Sequence, residues 1–491
     1  MFRKFVLVGI CAASLCGSVM AQDAKTVIAN AQKAMGDLKS ITYSGSAKDV
    51  AFQQCGASST EMTCHFTHDP MRPINNYTRV IDLATPASRA TGSTNNIGAG
   101  GSTTVSPGTY FQQVSAQQAD VSQPWNNSLE FYITPWGFLK GAAENNATVS
   151  HKKVDGKNYT VLTWSPAVKA VSGKNYVVSG YVDGQNMVDR VETWLGENIM
   201  GDMHILAVYS GWKDFGGVMA PTKIVQTRGG WPFFTVDVTA AKANPSDVAT
   251  LVPAPAGRGG RGGAGGPPAP PPMVVTSEKL GDGVYRLTTG AGSYDSVIVE
   301  FKDHIMMLEA GQSIARATAY VAETKKLIPG KPITYVMNTH PHSDHTGGLP
   351  VLVAEGATII TQKNNVEFLN RALNTPRTLL DDQLAKNPRK AKIEAVEEKK
   401  VYSDGTRTVE MYHIFPAPHS NGLIIAYIPK EKIIFQGDFS VNPGEPANDH
   451  VKALVPVLQR LNLDFDRYIN VHASAEPQHK SDVWKAMGLQ S

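Results

Sequence analysis

Thr339-His340-Pro341-His342-Ser343-Asp344-His345-Thr346-Gly347-Gly348 places three imidazoles and a carboxylate within six positions, directly after the apolar run Ile333-Thr334-Tyr335-Val336-Met337. The apolar run reads as a short buried strand, so the polar cluster falls where a strand ends and a loop begins. There the strand fixes the origin of the side chains while the loop lets them converge. His340 and His342 lie two apart and point the same way in extended backbone, which suits one shared ion. Asp344 and His345 follow as the loop turns and can face a second ion. Imidazole nitrogen and carboxylate oxygen are donors for zinc, iron or manganese. Six positions cannot close two coordination shells, so further ligands must come from downstream.

Three candidates appear there, each after an apolar run. His419 sits in Phe415-Pro416-Ala417-Pro418-His419-Ser420-Asn421-Gly422, Asp438 ends Ile433-Ile434-Phe435-Gln436-Gly437-Asp438, and His472 ends Tyr468-Ile469-Asn470-Val471-His472. Alone, either histidine reads as a loop or core residue and Asp438 as a turn residue. Beside the first cluster they read as ligands.

The ordered set His340-x-His342-x-Asp344-His345, then His419, Asp438 and His472, resembles the metallo-β-lactamase-fold hydrolases, over a span from roughly Gly281 to the C-terminus. The resemblance implies an αββα sandwich with metals at one edge of its two sheets. It implies His340, His342 and His419 on one metal, Asp344, His345 and His472 on the second, and Asp438 bridging both. Two departures are visible: Glu309 stands where an Asp is usual, and Asn470-Val471-His472-Ala473 replaces the commoner Gly-His-Gly. Two divalent ions about 3.5–4 Å apart would lower the pKa of a shared water and polarise the scissile bond. Asp344 would be the catalytic residue, orienting the hydroxide and carrying a proton. All-imidazole terminal ligands suit zinc first, with iron and manganese open. An Asp rather than a Cys at 438 resembles the thioesterase, lactonase and phosphoesterase branches more than the β-lactam-cleaving one.

The rest of the 491-residue chain gives domains rather than chemistry. Net charge is +3 with 18% charged residues, which implies no polyanionic partner and no nucleic-acid role. Residues 1–21 read as a secretory signal: Arg3 and Lys4, an apolar stretch, then Val19-Met20-Ala21. The stretch is too short to span a bilayer, and no other segment could. The expectation is a soluble periplasmic or secreted protein. Cys55 and Cys64, the two cysteines beyond the signal, are expected to form one local disulfide. With His65 and His68 they fit no standard zinc spacing.

Residues 22–250 read as a β-rich accessory domain, an antiparallel sheet with helices against it. A helix over residues 24–38 should stop at Gly36, and a second over 125–140 should break near Pro135. Residues 84–107, rich in Ala, Thr, Ser and Gly, read as a loop. The domain weakly resembles periplasmic lipoprotein carriers through Ala34-Met35-Gly36, Ser40-Ile41-Thr42-Tyr43-Ser44-Gly45 and Gly217-Val218-Met219-Ala220-Pro221-Thr222. That resemblance implies a concave face able to shelter lipid; the plainer expectation is a packed sheet. Residues 251–273, rich in Gly, Pro and Arg, read as a linker.

Residues 274–491 complete an α+β chain with the metallo-β-lactamase-like sandwich. Three residues are expected near substrate: Tyr294 on an overhanging hairpin, and Asn421 and Asn442 at the mouth. A helical insertion over 366–384, broken at Pro376, is expected as a lid. The functional expectation is an exported dinuclear-metal hydrolase acting on a small-molecule ester, thioester, lactone or related bond through a metal-bound hydroxide. The first alternative is a β-lactam-hydrolysing enzyme. The second is a lipid- or ligand-binding periplasmic carrier with a secondary metal site.

Overall fold

The computed structural model describes residues 23–50, 71–97, 105–115, 124–252, 273–290, 294–417, 419–441, 444–472 and 476–489. The expected signal, Cys55, Cys64, His65, His68, nearly all of the linker and Asn442 lie outside the described residues.

The N-terminal domain begins with α1 (Ala24–Met35), capped by Asp23, whose carboxylate accepts from Thr26 N at 2.7 Å, and closed by Gly36 at φ +113°. Strands β1 (Ser40–Asp49), β2 (Arg72–Asp82), β3 (Ala87–Ile97) and β4 (Val105–Ser115) follow. Then come α2 (Pro124–Tyr132) and α3 (Pro135–Glu144), separated where Pro135 starts a new helix. The remaining strands are β5 (Thr148–Val154), β6 (Lys157–Trp164), β7 (Val178–Val182), β8 (Val188–Glu197), β9 (Gly201–Asp214), β10 (Met219–Arg228) and β11 (Trp231–Ala243), before a single turn, α4 (Val248–Leu251). All eleven strands form one antiparallel sheet in the order β4-β3-β2-β1-β11-β10-β9-β8-β7-β6-β5. Helices α1–α3 cover one face, where Trp125, Phe131, Trp136 and Phe138 fill the core beneath them.

The expected loop over 84–107 is corrected: residues 87–97 form β3, and β4 begins at Val105. These strands pair residue for residue from Ala87↔Ser115 to Ile97↔Val105. Main-chain ladder bonds hold them together although β3, rich in Ser, Thr and Asn, offers no alternating apolar pattern to read.

The C-terminal domain opens with β12 (Thr276–Gly281), β13 (Val284–Thr288), β14 (Ser296–Glu300) and β15 (Ile305–Leu308). Next are α5 (Ile314–Leu327), β16 (Ile333–Met337), the one-turn α6 (Ser343–Thr346), α7 (Leu349–Glu355), β17 (Thr358–Gln362), α8 (Val366–Leu373), the short α9 (Gln383–Lys386) and β18 (Lys392–Val396). The second half holds β19 (Lys399–Ser403), β20 (Thr408–His413), β21 (Ile424–Ile428), β22 (Ile433–Gln436), α10 (Asp449–Leu461), β23 (Arg467–Asn470), β24 (Gln478–His479) and α11 (Lys480–Ala486). Strands β12–β18 make one sheet and β19–β24 the other, each in chain order. Val299, Met306 and Met337 of the first sheet meet Met411, Ile424 and Phe435 of the second in a shared core. The outer face of the first sheet packs against α5, α7 and α8, and that of the second against α10 and α11. The result is four layers, helix–sheet–sheet–helix. Burial on both faces explains why β15 and β21 are continuously apolar.

The helix expected over 366–384 is two pieces: α8 ends at Leu373, and residues 374–382 run irregularly to α9. This segment is docked on the N-terminal domain. Asp202 N donates to Pro376 O at 2.6 Å, and the Asp202 carboxylate accepts from Thr378 N and Leu379 N at 2.9 and 2.8 Å. Arg371 lies over the Trp231 ring at 4.2 Å and donates to Gly229 O. Among the described residues no helix is long and apolar enough to cross a membrane.

Candidate metal centre

Four strand ends build the site. The C-terminal ends of β16, β22 and β23 deliver residues 338–346, Asp438 and His472, and β15 delivers Glu309 beside them. The loop between β20 and β21 brings His419. The turn after β16 is compact because Gly347 and Gly348 lie on the backbone of residues 310–312. A Cβ would sit 2.0 Å from Gln312 O at Gly347, or 2.4 Å from Ala310 O at Gly348. Asn338 Nδ2 ties the turn together, donating to His340 O at 2.9 Å and His345 O at 3.1 Å.

The seven side chains expected as ligands meet in two sets. Donor atoms of His340, His342, His419 and Asp438 lie within 4.8 Å of one another, and so do those of Asp344, His345 and His472. In the first set the ring centroids of His340, His342 and His419 are 4.4, 4.5 and 4.6 Å apart. The Nε2 atoms of His340 and His419 approach to 2.9 Å. Asp438 spans both sets: Oδ2 is 2.9 Å from His419 Nε2, while Oδ1 is 2.8 Å from His345 Nε2 and 3.0 Å from His472 Nε2.

The donor chemistry fits divalent ions. Nε2 of His345 and Nε2 of His472 converge on Oδ1 of Asp438 at 2.8 and 3.0 Å, three buried polar atoms with no other hydrogen-bond partner among the described residues. Buried polar atoms are normally satisfied, and converging lone pairs are the arrangement that a cation satisfies. Electrostatics agree. Burial, and then His345 and His342, hold His340 well below the ordinary imidazole range. Burial and His419 do the same for His342, so both rings are neutral and able to donate. Burial alone would raise the Asp438 carboxyl, but His345, His419 and His340 outweigh it and hold it well below the usual carboxylate range. His345 is raised despite burial, because Asp438 and Glu309 face it.

Behind the donors lies a supporting layer. Glu309, fully buried, accepts at Oε2 from Thr339 Oγ1 at 2.6 Å and lies 3.3 Å from His345 Nδ1. Such a carboxylate fixes the tautomer and orientation of a ligating ring. Glu309 does this at φ +69°, a conformation a non-glycine residue keeps only where its surroundings impose it. Tyr294, the expected substrate contact on the overhanging hairpin, donates from its hydroxyl to Asp344 Oδ2 at 3.1 Å. Its ring lies 4.6 Å from that of His472, and its backbone bridges to the same residue. Asn421, expected at an open mouth, is buried at 8% exposure. Its carbonyl accepts from Asn364 Nδ2 and lies 2.9 Å from His413 Nε2, which turns the segment inward. A further histidine, His450 on α10, lies behind the donors, 2% exposed, with its ring 4.7 Å from that of His419. Its helical phase beside Val451, Leu454 and Val455 is the sequence signal for that position.

Comparison with known proteins follows the same lines. The family model described as "Metallo-beta-lactamase superfamily" matches residues 289–474. A curated relative, the 2,4-dinitroanisole O-demethylase subunit alpha of Nocardioides sp. (strain JS1661), is 25% identical over 204 residues, or 40% of this chain. That stretch spans only 57% of the relative's own length. Among solved structures, a metallo-beta-lactamase from Pontibacter korlensis is 16% identical with a TM-score of 0.34, covering 44% of this chain and 98% of its own. The DIM-1 metallo-beta-lactamase gives 17% and 0.34, covering 44% and 96%.

Proposed function

Residues 289–474 belong to the metallo-beta-lactamase superfamily of metal-dependent hydrolases, and from that premise we propose that the chain is an exported dinuclear hydrolase of a small-molecule ester, thioester, lactone or related acyl bond. One observation carries the reading: a single carboxylate, Asp438, offers one oxygen to each of two sets of donors. His340, His342 and His419 would hold one ion and Asp344, His345 and His472 the other, with zinc the best match to imidazole-rich ligands. A metal pair held there supplies an activated water and accepts the charge that develops on the scissile oxygen.

The chain's own groups do the rest. Asp344 takes the proton of the attacking water and passes it to the leaving group. The Tyr294 hydroxyl, donating to Asp344 Oδ2, fixes the carboxylate's direction. Glu309 and Thr339 keep His345 turned towards Asp438. Residues 1–21, a basic start with an apolar core and small residues before Gln22, support export; N-terminal sequencing of the purified protein should begin at Gln22.

The test is metal analysis of full-length protein, joined to a panel of an aryl ester, a thioester, a lactone, a phosphodiester and a chromogenic β-lactam. The expected result is about two metal ions per chain, with turnover of an acyl substrate that chelation abolishes and zinc restores. Protein that binds no metal, and stays inert after adding zinc, iron or manganese, defeats the proposal. Turnover of the β-lactam alone would move the assignment to that branch.

A further inference from the structure

Where residues 373–390 meet the N-terminal domain there is a cavity of about 810 Å³. It is lined by the irregular segment and α9, and by Lys174 from the connection between β6 and β7. Its size is that of a small-molecule site. Leu373 and Leu384, 1% and 3% exposed, and Leu380 with Pro376 and Pro388 make its apolar part.

The charge at its rim is one-sided. Lys174, Arg377, Lys386, Arg389 and Lys390 line the cavity, and among the described residues no carboxylate does. Lys386 is paired with Asp381 at 3.0 Å and Arg377 with Asp382, but Lys174, Arg389 and Lys390 make no ion pair among the described residues. Arg377 is the most enclosed of these cations. Arg377 is 8% exposed, and while Nε and Nη2 are engaged, Nη1 is buried without a hydrogen-bond partner.

We propose that this cleft binds an amphipathic organic carboxylate, its head among Lys174, Arg377, Arg389 and Lys390 and its apolar body over Leu380 and Leu384. Solvated lysines on an ordinary surface would need no apolar floor, and an apolar void would not be ringed by unmatched cations. The ligand touches both domains, so binding also strengthens their docking. The site is separate from the metal centre and does not depend on the reaction proposed there.

Isothermal titration of the full-length protein with dodecanoate, below its critical micelle concentration, tests the proposal. The expected result is saturable binding that raises Tm, with dodecanol and dodecyltrimethylammonium bound at least tenfold more weakly. Lys174→Glu/Lys390→Glu, changed at exposed positions, should weaken dodecanoate at least tenfold, while His342→Ala should leave it unchanged. Absence of saturable binding overturns the proposal, as does equal binding of the neutral or cationic probe or of the double variant. Loss of binding in His342→Ala would place the probe at the metal centre and overturn it equally.

Discussion

Tyr294 is held from four sides. Its hydroxyl reaches Asp344, its ring lies on His472, its carbonyl accepts from Tyr320 at 2.6 Å, and the Arg316 guanidinium stands 5.3 Å over its ring. Two of those contacts are to residues of the second donor set. Tyr294→Phe keeps the ring and removes only the bond to Asp344, so it should weaken metal at that set by about 10–100-fold. Metal titration against a competing chelator reads this directly; unchanged affinity at both sets would show that the hydroxyl positions nothing. His450 gives a pH prediction. Burial, then His419, push its imidazole down from 6.5 to about 4. Between those values the unfolded chain takes up a proton that the folded chain refuses. Stability is therefore full above pH 6.5 and falls as pH drops towards 4, by about 3 kcal/mol from this residue. His450→Phe should lose correspondingly less between pH 7 and pH 4.5, measured by urea unfolding of chelated protein. The cluster at 340–345 was legible because six contiguous positions carry four donors. Glu309 showed only as a departure from the resemblance, because its work is done across the fold on Thr339 and His345, which no local pattern displays.

The β8–β9 hairpin acts as a clasp on the segment after α8. Asp202 receives Thr378 N and Leu379 N, and Asn198 O receives Arg377 Nη2 at 2.7 Å. Asp202→Ala removes two charge-assisted bonds at a partly exposed site and should cost about 1–3 kcal/mol. Protease cleavage within residues 374–390 should quicken in parallel; an unchanged cleavage rate would mean the segment holds its place without the carboxylate. Elements such as β14–β16 and β20–β22 could be read from the sequence because apolar runs between turns mark buried strands. β3, β4, β18 and β19 could not, since none is a continuous apolar run and each owes its place to pairing with neighbouring strands.

At the scale of the molecule, composition marks the boundary between domains, because a Gly- and Pro-rich tract is visible at once. Their docking is not visible in that way. It depends on Trp231 meeting Phe368, with ring centroids 5.4 Å apart, and on Leu379, 7% exposed, lying against Gly196. These are single residues whose meaning exists only once both domains are built. Residues 274–491 expressed alone would uncover Phe368, Leu379 and Arg371. Their Tm should fall by about 5 °C or more relative to the same domain in the full chain, by differential scanning calorimetry. An equal Tm would make the contact incidental.

The two ends of α8 face different neighbours. Near its start, Asn364 and Asn365 grip the carbonyls of Asn421 and Gly422, two and three residues beyond His419; further along, Phe368 and Arg371 are seated on the β-rich half. A strut fixed at both ends carries movement from one to the other. Rocking of the accessory half should therefore be felt at the imidazole of His419 before any sheet opens, and its earliest symptom would be a cation released sooner by an otherwise intact protein.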